Sequence, residues 1–122
     1  MAAPPRGIHV VYSVPPDGVG DQEYAAFYDT HVAEILETPG FVEARRYRLE
    51  PAVANRPPVE YRHAAVYVLD RPAAGPLAEL DRRAEAGGMT LPDWYGDVRF
   101  ASFDGRPLEE DELELPEHGY MT

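Results

Sequence analysis

With no cysteine in its 122 residues, the chain has no disulfides, no thiolate catalysis and no cysteine-bound zinc, and its length suits one domain. A net charge of −11 and a pI near 4.6 argue against a phosphate-backbone partner, so no nucleic acid is expected. No apolar run approaches the roughly 20 residues of a membrane helix. Residues 1–7 lack the apolar core of a signal peptide. No membrane partner and a cytoplasmic location are therefore expected.

The segment Ile8 to Val14 is rich in β-branched and aromatic residues and runs into Pro15-Pro16-Asp17-Gly18, which predicts a strand and a turn. His9 and Tyr12 fall on opposite faces of that strand, so at most one of them points inward. Asp21 is a candidate N-cap. From there to about Glu37 the apolar residues Tyr24, Phe27, Tyr28, Val32, Ile35 and Leu36 follow steps of three and four, one face of an amphipathic helix. His31 stands three residues after Tyr28 and four before Ile35, on that apolar face. Pro39-Gly40 stops the helix.

Phe41 to Leu49 reads as a second strand, with Phe41, Arg45, Tyr47 and Leu49 on one side and Val42, Ala44, Arg46 and Arg48 on the other. A proline-punctuated loop covers Pro51 to Pro58. Tyr61 to Asp70 gives the strongest strand signal, and its nearly continuous apolar run predicts a central position. A second helix is expected over Gly75 to Ala86, with Leu77, Leu80 and Ala84 in helical register and Gly87-Gly88 ending it. Trp94 to Phe103 reads as the last strand, closed by Asp104-Gly105.

Strand, helix, strand, strand, helix, strand is the pattern of an α+β, ferredoxin-like βαββαβ sandwich, a four-stranded antiparallel sheet with two helices on one face. The other face would remain bare and apolar, which predicts a homodimer formed through the sheet. The domain is expected over 1–103. Residues 104–122 hold seven acids against Arg106 alone, an acidic C-terminal extension expected to be solvated.

The stretch from Tyr24 to Phe41, with its aromatic pair, His31, Pro39-Gly40-Phe41 and the following Ala44-Arg45-Arg46-Tyr47, resembles the EthD-like branch of the dimeric α+β barrel superfamily. The order of elements agrees across about residues 8 to 103. The chain has Ala33 where many relatives have proline two residues after the histidine. The resemblance implies a cofactor-independent oxygenase, cyclase, dehydratase or decarboxylase of polyketide-like compounds, a protein without activity, or a haem protein with His31 as axial ligand.

Among apolar neighbours, an imidazole is the side chain suited to moving a proton near neutral pH, which makes His31 the first catalytic candidate. A core histidine bonded to backbone is the plainer alternative. Tyr28 can orient a substrate oxygen beside it. Tyr24, one turn earlier, suits packing better than a site, whereas Tyr28 suits both. Phe27, Ile35, Tyr47, His63, Tyr67 and Trp94 complete the expected lining for a hydrophobic small molecule. In that lining Tyr47, His63 and Tyr67 come from the sheet, and they serve equally well at a dimer interface.

His118, in the tail, is expected to be solvated, and Arg45, Arg46 and Arg48 to meet acids on a partner copy or stay solvated, with a substrate carboxylate as their alternative partner. The histidines show no close pairing, so no metal is expected, and no phosphate loop, nucleophile elbow or dinucleotide fingerprint supports a cofactor. The expected chemistry is a cyclase, dehydratase or isomerase reaction by acid/base catalysis, or else binding of a metabolite without turnover.

Overall fold

The computed structural model describes residues 6–50 and 60–109. The loop expected over 51–58, and all of the acidic extension beyond residue 109, lie outside the described residues. The elements in order are β1 (Gly7–Val14), α1 (Asp21–Leu36), β2 (Phe41–Arg48), β3 (His63–Leu69), α2 (Ala74–Glu85), a 3-10 turn (Asp93–Asp97) and β4 (Arg99–Gly105). The protein is α+β. Its single four-stranded sheet has the order β2-β3-β1-β4, antiparallel at every pairing and consistent with a ferredoxin-like fold. The apolar β3 is interior, as its composition predicted.

Two expectations need correction. The tract around Trp94 and Tyr95 is a 3-10 turn, because Pro92 and Asp93 start a helical turn that Gly96 and Asp97 end before pairing can begin. Strand β4 therefore starts at Arg99 and continues through Asp104 and Gly105, which were expected to close it. The helix N-cap is Gly20 with no side-chain bond, and Asp21 is instead engaged by Arg48.

Cross-strand partners share a face of the sheet. Pairings of Ser13 with His63, Val11 with Ala65 and His9 with Tyr67 put these residues on one face, here called the inner face. Phe100, Ser102 and Asp104 continue it onto β4. Ile8, Val10, Tyr12, Ala64, Val66 and Val68 share the opposite face with Phe103.

On β2 a bulge between Phe41 and Glu43 shifts the parity of the strand. Phe41, paired with Leu69, therefore joins Ala44 and Arg46 on the inner face, whereas Arg45 and Tyr47 face the other way. Simple alternation would have grouped Phe41 with Tyr47.

The core forms where α1 meets the inner face. Tyr24, Tyr28 and Ile35 pack with Phe41, Ala65, Tyr67, Leu69 and Val98. Phe27, Leu36, Leu77 and Leu80 are half-buried around that cluster. Small side chains at the middle of the sheet, Ser13 and Ala65, leave room for the rings of α1. Helix α2 is held less firmly, with Pro76 as its one fully buried residue.

The junction of α1 and β2 depends on Gly40, whose φ is +101°. A Cβ there would lie 2.4 Å from Pro76 Cγ of α2, so glycine lets α2 pack against this junction. Among the described residues, no helix is long and apolar enough to cross a membrane.

Candidate functional site

Four residues of α1, Tyr24, Tyr28, His31 and Ile35, are spaced so that all point toward the sheet, and all four are buried. Tyr24 is 1 % exposed and donates a 2.7 Å hydrogen bond to Ser13 Oγ, itself wholly buried. Burial pushes the Tyr24 phenol well above the usual tyrosine range. That hydroxyl is spoken for, and Tyr24 is a core residue with a satisfied polar tip.

One turn further, Tyr28, His31 and Ile35 open onto a cavity of about 260 Å³. Its other walls come from His9, Val11, Tyr67, Phe100 and Ser102 of the sheet, Leu80, Asp81 and Ala84 of α2, and Met89, Leu91 and Tyr95 of the following segment. Glu34 helps to seat that segment. It accepts bonds from the Thr90 backbone N–H (2.9 Å) and hydroxyl (2.7 Å), and these bonds hold its carboxyl below the usual range.

The His31 ring stacks on Phe27 with centroids 4.9 Å apart and meets Tyr28 and Tyr95 at 5.6 and 5.9 Å. Its Nδ1 is buried and has no hydrogen-bond partner among the described residues. Desolvation lowers its pKa, and the Glu34 carboxylate opposes this only in part. At neutral pH the ring is therefore uncharged, able to accept a proton or to donate an N–H bond. Burial raises the Tyr28, Tyr67 and Tyr95 phenols, so all three stay protonated donors.

Of the residues expected to form the site, Tyr28, His31, Ile35 and Tyr67 meet at this cavity. Phe27 backs the His31 ring and does not line it. Trp94 packs against Tyr24 and Phe27 and donates to Glu23, so its neighbour Tyr95 is the wall residue.

His63 lies elsewhere. With Asp21, Tyr24, Tyr28, Arg46, Tyr47 and Arg48 it borders a second recess of about 260 Å³. There its Nε2 is buried 3.8 Å from an Asp21 carboxylate oxygen, with no hydrogen-bond partner among the described residues, and burial lowers its pKa. Arg46 and Arg48 pair within the chain, with Asp29 and Asp21. Tyr47 borders that recess from the sheet face opposite Tyr67, where it is 51 % exposed, turned there by the β2 bulge.

Among the wall residues that sequence reasoning left unassigned, two carry polar rings. Tyr95 was read with Trp94 at the entrance to the last strand, where the pair could cap the pocket or pack at an interface. His9 was one of two possibilities that strand alternation alone could not separate. Its inward position follows from its pairing with Tyr67 and Asp104.

Among the described residues, no group of three or more His, Asp or Glu side chains is placed to hold a metal ion. Comparison of the chain with protein-family models finds no match, and comparison with curated proteins finds none either.

Stability should report the state of His31. A buried imidazole with a lowered pKa remains neutral while the unfolded chain takes up a proton near 6.5, so folding weakens as pH falls from about 7 toward 5. His63, lowered for the same reason, adds to the slope. Thermal unfolding of His31→Gln across this window should show a shallower decline than wild type. An unchanged slope would mean that His31 is not held neutral by burial.

Proposed function

We propose that the chain is a cofactor-independent enzyme of the EthD-like branch of the dimeric α+β barrel superfamily. In this reading it is a cyclase, dehydratase or isomerase that acts by acid/base catalysis on a hydrophobic, oxygenated aromatic metabolite. The observation that carries this reading is the placement of His31, a buried neutral imidazole with a partnerless Nδ1, in a cavity walled by apolar and phenolic side chains. A polar group kept in such a place forgoes about 1–3 kcal/mol of satisfied hydrogen bonding, which a purely structural residue would have no reason to do.

His31 moves the proton, and Tyr28 orients a substrate oxygen. Tyr67 and Tyr95 remain neutral donors to charge that develops on oxygen. A cavity of about 260 Å³ is just below the roughly 300 Å³ at which ligand sites usually begin. A one- or two-ring molecule suits it better than a large polycycle.

The test is incubation with aromatic 1,3-diketones and β-hydroxy ketones in D₂O, with proton exchange and water loss followed by NMR. Wild type should outpace buffer, and His31→Gln should lose about 10²–10⁴-fold of that rate. A ligand bound tightly but returned unchanged by both proteins would favour the rival reading, a binding or accessory protein.

The superfamily reading places both helices on the inner face in a βαββαβ sandwich and a second copy of the chain on the opposite face. Support comes from the apolar character of that face. Tyr47 and Phe103 are 51 % and 59 % exposed there, beside half-buried Val10 and Val66. Glu43 and Arg45 lie beside them, a pair of opposite charges able to meet its own copy across a two-fold axis. Light scattering should find a dimer for wild type and a monomer for Val66→Glu. A wild-type monomer at micromolar concentration would remove this part of the proposal.

A further inference from the structure

His9 is the middle of a row that crosses three strands, with Tyr67 of β3 on one side and Asp104 of β4 on the other. Its Nδ1 lies 2.6 Å from Asp104 Oδ1, and its ring is 5.9 Å from that of Tyr67. The histidine side chain is 14 % exposed and the aspartate 48 % exposed, so the pair spans from the cavity wall to solvent. His9 and His31 line the same cavity, one from the sheet and one from α1. Asp104 therefore belongs to the folded sheet, although the sequence placed it at the head of a solvated acidic tail.

A carboxylate that accepts the Nδ1–H of an imidazole selects one tautomer and leaves a lone pair on Nε2. His31 has no such partner on its Nδ1 among the described residues. The two histidines are thus unlike: one is held by an acid, the other buried among rings.

We propose that His9, positioned by Asp104, is a second proton-transfer group of this cavity, serving substrates that carry an enolisable carbonyl. The inference rests on the reading of the cavity as a binding site for such compounds. Nε2 of His9 takes a proton from the carbon beside the carbonyl. As the C–H bond breaks, its electron pair becomes the C=C bond of the enolate, and the carbonyl π pair moves onto oxygen. Tyr67, Tyr95 or His31 donates a hydrogen bond to that oxygen. In an isomerisation the proton returns from Nε2 to a different carbon. In a dehydration it goes to a departing β-hydroxyl, which leaves as water while the enolate collapses to the unsaturated ketone. Neither course needs an oxidant or a reductant. His9 is the catalytic residue here and Asp104 a positioning residue.

The probe is 5-nitrobenzisoxazole, whose elimination needs only a base: the C3–H proton is taken, the N–O bond breaks, and 2-cyano-4-nitrophenolate absorbs in the visible. Wild type should exceed free imidazole at equal concentration, and His9→Gln and Asp104→Asn should each lose about 10²-fold. Nitrogen-15 NMR of the wild-type protein should find His9 as the Nδ1–H tautomer, a readout independent of turnover, and Asp104→Asn should redistribute it. Wild-type rates in His9→Gln and Asp104→Asn, with the activity carried by His31 alone, would overturn the dyad and leave the cavity reading standing. A wild-type rate no greater than that of imidazole would overturn both. An Nε2–H tautomer at His9 would overturn the dyad on its own.

Discussion

The structure depends on the fit of one helix face, Tyr24, Tyr28, His31 and Ile35, against a sheet whose central positions are small. Ser13 and Ala65 give the rings their space, and Tyr67 and Leu69 close the layer around them. The packing is aromatic and therefore polar at its tips, so each ring must place its oxygen or nitrogen. Tyr24 does so on Ser13, at the end of α1 where the sheet supplies a hydroxyl. His31 reaches a wall of apolar carbon and phenol, and its Nδ1 has no partner among the described residues. The same row thus yields a satisfied core at one end and a chemically poised group at the other.

That difference sets the electrostatics of the cavity. Desolvation acts on imidazole and phenol in opposite directions, lowering the first and raising the second, and both shifts leave the group neutral. Among the described residues, a site built this way holds no fixed charge in its wall beyond the Asp81 carboxylate on α2 and whatever His9 and Asp104 share at the sheet edge. It can therefore admit an apolar molecule and still offer proton donors and acceptors. Its roof is the least anchored part of the fold, since α2 is fully buried only at Pro76 and the segment behind it is held through Thr90 and Glu34. Access to the cavity would be expected there, where local opening is least opposed by packing.

Much of this was legible in the chain. The spacing of Tyr24, Tyr28, His31 and Ile35 predicted the buried face of α1, because helical periodicity is a local property. The positions of β1 and β3 were readable for the same reason. What escaped was decided by pairing between distant residues. The bulge that turns Tyr47 away from Tyr67 changes the parity of β2 at Val42, an ordinary strand residue, and the Pro39-Gly40 before it reads only as the end of α1. His9 and Asp104 are 95 residues apart, and nothing in either neighbourhood announces the other. Trp94 and Tyr95 carry strand-forming side chains, yet the turn started by Pro92 prevails over that preference.

The central claim is that His31 is retained for chemistry and not for packing. It is tested most directly by chemical unfolding at pH 7.5 of His31→Leu beside Ile35→Ala, its neighbour one turn along α1. Ile35→Ala should lose about 2–5 kcal/mol, as a core residue does. His31→Leu should lose nothing or gain stability, because an apolar side chain of similar bulk needs no partner for a buried nitrogen. A comparable loss in both variants would show that the histidine is a member of the core, and the account given of the cavity would be wrong.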